Sequence, residues 1–207
     1  MINLFLKAKH WQLFTLVFAL PIAVQVIMMI SIFSDVIDNP NPDPAFMLNY
    51  MWVFPIIMLL VISVNFGWLW SVAVGLQKKV PQNVTMKVKK FKIFFFVPLI
   101  YLILVALFFI TTLNEVSSSN PESVAPILGR FVFIIPLHLF SMFCIFYSLY
   151  FVAKTIKTVE LQREVAFGEF IGEFLMIWFY FIGIWFLQPK INRMAEELVQ
   201  DNNQSTF

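Results

Sequence analysis

The sequence contains few of the residues from which enzymes and redox proteins build their sites. It has one cysteine, Cys144, and two histidines, His10 and His138, in 207 residues. A single thiol excludes an intrachain disulfide and leaves the redox compartment open. The two histidines fall at different levels relative to the long apolar segments of the chain, which does not suit a bis-histidine haem. We therefore predict no metal, no haem and no other cofactor.

The sequence also lacks the short motifs that carry catalytic chemistry. It contains no HExxH, no GxSxG, no phosphate-binding P-loop and no CxxC. These motifs supply the metal ligands, the nucleophile, the phosphate cradle and the redox pair of familiar enzyme classes. No nucleophile stands beside an evident base. We expect no enzymatic activity, no catalytic residues and no nucleic-acid partner.

Charge is scarce, and apolar residues dominate. Charged residues make up 13% of the chain and hydrophobic residues 60%, against about 25% and about 45–50% in average domains. A soluble fold of this length could not hide so much apolar surface, whereas a bilayer acts as a solvent for it. The chain has 26 phenylalanines and only 6 glycines, which favours large side chains facing lipid. The composition predicts an integral membrane protein.

Five apolar segments are each long enough to cross a bilayer as a helix, which takes about 20 residues. They lie at about 12–33, 48–76, 93–112, 131–152 and 167–187. We predict an all-α, polytopic transmembrane helix bundle that forms one integral membrane domain over residues 1–207. Residues 188–207 form a short flexible tail. Its apolar residues recur at helical spacing, which favours an amphipathic turn on the membrane surface or a docking helix for a partner: Ile191, Met194, Ala195 and Leu198.

The distribution of charge predicts the orientation of these spans. The loop Gln77–Lys92 carries six lysines and no acid, and lysines between two spans tend to stay on the cytoplasmic side. Five crossings then place the N-terminus inside and the C-terminus outside. Lys190 and Arg193 lie just beyond the last segment and would prefer the cytoplasm. The alternative is therefore four spans followed by a re-entrant C-terminal hairpin.

Two sets of small residues recur every fourth position and predict close helix packing. Such small-xxx-small faces let helix backbones approach one another in lipid. The first set lies in the second span and favours either packing within the chain or an oligomer contact along the same groove. The second set is a GxxxG step at the start of the last segment. The helix-packing residues are Ser63, Gly67, Ser71 and Gly75 in the first set, and Gly168 and Gly172 in the second.

Three polar residues lie inside apolar segments. Gln25 and Asn65 fall near the middle of the first and second spans, and an unpaired amide is costly in hydrocarbon. The two favour either a hydrogen bond between neighbouring helices or a polar cavity that binds a ligand. His138 lies near the outer end of the fourth span, where it is either a hydrogen-bonded packing residue or a ligand.

The most informative polar residues are Glu169 and Glu173. Carboxylates at or inside a span are rare and indicate a functional site by default. One interpretation is an interfacial pair that faces Lys154, Lys157 or Arg163. The other is a cation site, a proton site or a lipid-headgroup contact at the inner leaflet.

Two stretches carry a resemblance to a known group of proteins. They are LKAKHWQLF at Leu6–Phe14 and AKTIKTVELQREVAFGEFIGEFLMIWFYFIGIWFLQPKIN at Ala153–Asn192. Both resemble a family of small, uncharacterised multi-pass inner-membrane proteins of Bacteroidota-type bacteria. The resemblance implies a bacterial inner (cytoplasmic) membrane and implies no activity.

These observations lead to two hypotheses about function. The first is a structural or interaction subunit, or a homo-oligomer, in the bacterial inner membrane, with the lipid bilayer and a second copy or a membrane-complex subunit as partners. The small-residue faces motivate it. The alternative is a protein that handles a small ligand, a lipid or an ion through its intramembrane polar residues.

Overall fold

The computed structural model of the protein describes residues 2–39, 53–117 and 124–204. These residues are almost entirely helical, and none of them forms a strand. A π-helical segment, Thr15–Ala19, joins α2 to α3, and a short 3₁₀ helix, Leu76–Lys79, follows α4. In chain order the helices are α1 (Ile2–Lys7), α2 (His10–Phe14), α3 (Leu20–Asp38), α4 (Val53–Gly75), α5 (Val88–Ser117), α6 (Val124–Leu161), α7 (Phe167–Trp178) and α8 (Tyr180–Gln204).

Within the described residues, four helical segments are long and apolar enough to cross a membrane. They are His10–Asp38, Pro55–Lys79, Val88–Phe108 and Ile134–Leu161. Together α7 and α8 make a fifth apolar segment, but the two helices are bent by 120° at the break between them. The prediction of an all-α multi-pass membrane protein is confirmed, with four spans, or five if the bent pair is counted as one.

The chain forms two compact units. Unit 1 comprises residues 1–84 and 152–207, and unit 2 comprises residues 85–151. The core of unit 2 includes a stacked pair of rings, Phe91 on α5 and Phe151 on α6, with centroids 4.7 Å apart. The core of unit 1 is built around Trp68 of α4 and Ile184 of α8, neither of which reaches solvent or lipid.

The last apolar segment forms a helical hairpin, not a straight crossing. Helix α7 ends at Trp178, and Phe179 leaves the helical conformation with φ −88° and ψ 56°. A Cβ built at Gly183 would overlap the carbonyl oxygen of Met176. Only glycine therefore lets α8 fold back so closely on the end of α7.

Both ends of this hairpin return to the same place in unit 1. The side chain of Gln162, just before α7, donates to the carbonyl oxygen of Lys79 at 3.2 Å. Glu197, far along α8, forms an ion pair with the Lys79 ammonium at 2.8 Å. This geometry is that of the re-entrant alternative, whereas a fifth crossing would require the bent pair to act as one broken span. The side of the membrane on which the C-terminus lies stays a prediction. Helix α7 has 12 residues, so it is about 18 Å long and by itself too short to cross a hydrocarbon core of about 30 Å.

Residues 188–204 continue α8 and do not form a separate tail. Ile191, Met194 and Ala195 are buried in unit 1. The helical spacing of these residues is as predicted, but their apolar face packs against the chain itself and not on the membrane surface. The side chain of Leu198 lies outside the described residues.

Candidate functional site at the base of the hairpin

Four charged side chains form a closed ring where the hairpin meets α6. Glu173 of α7 accepts from the ammonium groups of Lys157 and Lys190 at 3.2 and 3.0 Å. Glu160 of α6 binds the same two ammonium groups at 2.9 and 2.6 Å. Each carboxylate therefore contacts both lysines, and the ring carries no net charge.

Local helix geometry explains how three helices contribute to this charge ring. Lys157 and Glu160 are three residues apart on α6, so their side chains lie on neighbouring positions of one face. Glu173 belongs to the inward face of α7, together with the buried Phe170 and Ile177. Lys190 enters from α8. The ring therefore ties both arms of the hairpin to α6.

The four side chains of the ring are buried to different extents, and the most buried one contributes most to the cost of breaking the ring. The Glu173 side chain is 7% exposed, while the two lysines and Glu160 are between 19% and 29% exposed. A carboxylate this deep is costly unless its partners remain in place. Since Glu173 and Glu160 are both matched by lysines, the ring holds no unpaired carboxylate for a free cation. No group of three or more metal-ligating side chains occurs in the described part of the chain.

Glu169 belongs to a separate contact. Its carboxylate forms an ion pair with the Arg163 guanidinium and accepts from the backbone N–H of Ala166 at 2.8 Å. The hydrogen bond to Glu169, with its negative charge, raises the pKa of Arg163. Because Ala166 directly precedes α7, Glu169 stabilises the start of that helix, where a negative charge is favoured.

The two predicted glutamates therefore do not share one site. Glu173 reaches Lys157 and Glu169 reaches Arg163, as the interfacial interpretation predicts. Lys154 pairs instead with Glu164, at 3.4 Å.

Gln188 forms a second polar cluster that the sequence did not reveal. This fully buried side chain accepts from the indole N–H of Trp68 at 2.7 Å. Its amide nitrogen lies 2.9 and 2.8 Å from the carbonyl oxygens of Phe5 and Ala8. These carbonyls lie at the break between α1 and α2, where helix ends leave acceptors without intrahelical partners. In the sequence, Gln188 is a single amide at the end of an apolar segment, next to Pro189. This pattern is also typical of a residue in a polar tail, so it does not predict a buried position.

The amides of the first two spans do not bond to each other in the described structure. Asn65 donates to the carbonyl oxygen of Val61, one turn earlier in α4, at 2.9 Å. Gln25 is exposed on the surface of α3. Gln25 is therefore exposed whereas Gln188 is fully buried, although both glutamines follow an apolar stretch of sequence.

His138 bonds within unit 2. Its Nδ1 lies 2.8 Å from the hydroxyl oxygen of Tyr101, which is buried on α5. The two rings are also in contact, with centroids 5.5 Å apart. This geometry is that of the hydrogen-bonded packing residue, the first of the two interpretations.

The two small-residue faces have different surroundings. A Cβ at Gly67 would lie 2.7 Å from the ring of Phe5, and one at Gly75 would lie 2.7 Å from Leu6. Helix α1 thus already occupies this part of the groove, and it cannot also hold a second copy. In the same set, Ser71 is buried and donates to the carbonyl oxygen of Gly67 at 2.7 Å, whereas Ser63 is exposed.

The GxxxG face of α7 is open. A Cβ at Gly168 or Gly172 would meet nothing within 4 Å, and both residues are exposed. Large apolar side chains flank them on the same outward face. Those of Phe167, Ile171 and Leu175 are 48%, 42% and 44% exposed.

Comparison with known proteins found no relative: no family model, no curated protein and no solved structure matches the chain significantly. The resemblance to small membrane proteins of Bacteroidota-type bacteria therefore stays a prediction. Any assignment of function depends on the geometry of the described residues.

Proposed function

We propose that this protein is a structural subunit of the bacterial inner membrane that has no catalytic activity and associates with a second copy of itself. The contact surface is the outward face of α7, with Gly168 and Gly172 at its centre. The re-entrant hairpin carries this face, and the charge ring holds the hairpin to α6.

The observation that carries the proposal is the difference between the two small-residue faces. Small residues every fourth position allow close helix approach in lipid. The groove at Gly67 and Gly75 already holds α1, whose Phe5 and Leu6 fill it. The same pattern at Gly168 and Gly172 has no occupant among the described residues. A second α7 carries large apolar side chains beside its own glycines, and these side chains are available to pack against the open face.

The inner-membrane location rests on the charge pattern. Lys79 belongs to the lysine-rich loop, and both ends of the hairpin contact this residue. The cations near the ends of the hairpin therefore lie on the side of that loop. A strong bias of lysine and arginine to one side is typical of helical proteins of cytoplasmic membranes.

The proposal is tested by measuring the number of copies per particle in lipid vesicles, by single-molecule photobleaching over a range of protein densities. We expect wild-type particles that contain more than one copy. Gly168→Ile and Gly172→Ile should shift the distribution to monomers. Since a Cβ at either position meets nothing within 4 Å and both residues are exposed, the fold of the single copy should be retained.

Ala106→Ile is the matched control, because Ala106 is also an exposed small residue on a membrane-spanning helix, α5. This substitution should leave the copy number unchanged. Wild-type protein that remains monomeric at every density would refute the proposal. A copy number that is insensitive to both glycine substitutions would refute the assignment of the surface.

A further inference from the structure

Three lysines at the start of α5 are not neutralised by any acid of the described structure: Lys87 directly before the helix, and Lys89 and Lys90 in its first turn. Lys87, Lys89 and Lys90 are all exposed, and none of them forms an ion pair within the described structure. The cations around the hairpin differ in this respect. Lys79, Lys154, Lys157, Arg163 and Lys190 are each paired with a carboxylate.

The basic turn, Lys87–Lys90, lies at a helix end where positive charges without acidic partners are unfavourable. Helix α5 begins at Val88, and the N-terminal end of a helix is its positive pole. Cations there are disfavoured by the helix itself and by one another. An anion outside the protein would relieve both effects.

Contacts within unit 2 hold one of these cations in place. The ammonium of Lys90 lies 5.1 Å from the ring centre of Tyr147 and 5.3 Å from that of Phe94. Both distances fall in the range of cation–π contacts. The rings fix the direction of the Lys90 side chain without neutralising its charge.

Apolar side chains begin directly after the basic turn. Ile93, Phe96 and Ile100 are 64%, 48% and 56% exposed, on a helix that is long and apolar enough to span a membrane. Ile93 lies only about 5 Å along the helix from Lys90, at 1.5 Å per residue. The lysines are therefore at the depth of lipid headgroups when the apolar side chains contact the acyl chains.

We propose that the basic turn Lys87–Lys90 binds the phosphate groups of anionic phospholipids and thereby gives the protein a preference for those lipids. Basic clusters immediately beside a membrane span bind anionic headgroups in this way. The turn is open and exposed, which suits a bilayer surface more than a soluble anion that must be enclosed. This inference does not depend on the proposed self-association.

The test is the association of spin-labelled phosphatidylglycerol, measured relative to spin-labelled phosphatidylcholine, with the protein reconstituted in phosphatidylcholine vesicles. Wild-type protein should prefer phosphatidylglycerol, and added salt should weaken the preference by screening. The triple variant K87Q/K89Q/K90Q should reduce the preference at least about fivefold, the effect expected of a single lysine near an anionic surface.

Two control variants distinguish the effect of the charge at this turn from the effect of the net charge of the protein. K87R/K89R/K90R retains the charge and should retain the preference. K7Q/K9Q/K78Q removes the same charge from three exposed lysines of unit 1 and should leave most of the preference. An equal loss in K7Q/K9Q/K78Q would overturn the proposal, since net charge alone would then explain it. Loss of the preference on adding soluble glycerol phosphate, but not on adding sodium chloride to the same ionic strength, would also overturn it, because the site would then take a free anion.

Discussion

Gly183 packs against the carbonyl oxygen of Met176 so closely that a methyl group on Gly183 would overlap that oxygen. The contact joins the first turn of α8 to the end of α7 and makes the sharp reversal at Phe179 possible. A helical hairpin whose tip lies inside the membrane requires such close packing, because its irregular backbone must be covered by protein.

We therefore expect Gly183→Ala to destabilise the hairpin. Overpacking of this kind costs about 1–3 kcal/mol, and more when backbone is the obstructing group. Thermal unfolding in mild detergent, at a dilution at which the protein is monomeric, measures the effect. Gly172→Ala is the control, because a Cβ there meets nothing within 4 Å. Equal stability of the two variants would mean that Gly183 does not set the reversal.

The charge ring predicts a large effect at Glu173. Glu173→Gln leaves Lys157 and Lys190 with one carboxylate between them, at a position that is 7% exposed. We expect a loss of about 3 kcal/mol in the free energy of unfolding, at the low end of the range for breaking a buried pair, because both lysines are partly exposed.

Glu164→Gln provides the comparison for this variant. Glu164 also pairs with a lysine, but its side chain is 69% exposed, so its loss should cost less than about 1 kcal/mol. Chemical denaturation of both variants measures the difference. A Glu173→Gln protein as stable as Glu164→Gln would show that the ring does not hold the hairpin.

Ion flux in proteoliposomes tests the alternative function, a protein that handles ions. We expect that any flux measured for the wild-type protein is unchanged in Glu169→Gln and Glu173→Gln.

Gln188→Leu tests the buried amide cluster. The substitution leaves the Trp68 indole N–H without its partner and removes the donor shared by the carbonyls of Phe5 and Ala8. Each unsatisfied buried group costs about 1–3 kcal/mol. We expect a marked loss of stability and a shift in tryptophan fluorescence.

Gln25→Leu is the matched control for Gln188→Leu, since Gln25 is an exposed glutamine on a span. Replacing an amide that faces lipid should leave stability unchanged or raise it. If the two variants lose the same stability, the environments assigned to the two glutamines are wrong.

The re-entrant hairpin predicts which positions share one side of the membrane. Lys78 and Arg193 are both exposed, and their neighbours Lys79 and Glu197 belong to one ion pair. Cysteines introduced at Lys78 and Arg193 should react with an impermeant maleimide from the same side. A cysteine at Ile37 should react from the opposite side. Ile37 lies at the C-terminal end of the 29-residue span His10–Asp38, far from the end that begins at His10. The native Cys144 is buried. Labelling of position 193 from the side of Ile37 would restore the straight fifth crossing.

The amino-acid sequence by itself determines the class of the protein and the approximate positions of its first four spans, although their bounds in the structure differ by up to about nine residues from those predicted. Apolar segments of about 20 residues must be helical in lipid, because only a helix satisfies its own backbone there. The prediction of the spans needs only composition along the chain, so it could be made without any knowledge of contacts. The cations at Lys190 and Arg193 also indicated the hairpin as an alternative.

Only the tertiary structure showed the sharp bend in the last apolar segment and distinguished the roles of similar residues. The reversal depends on the contact of Gly183 with a backbone carbonyl seven residues earlier, which no periodicity reveals. Gln188 and Gln25 have the same side chain, yet one is buried among acceptors and the other faces outward. Gly67 and Gly75 of α4 pack against α1, whereas Gly168 and Gly172 of α7, which have a similar spacing, are exposed. In each case the physical reason is the same: the free energy of these groups depends on neighbours that the local sequence pattern does not specify.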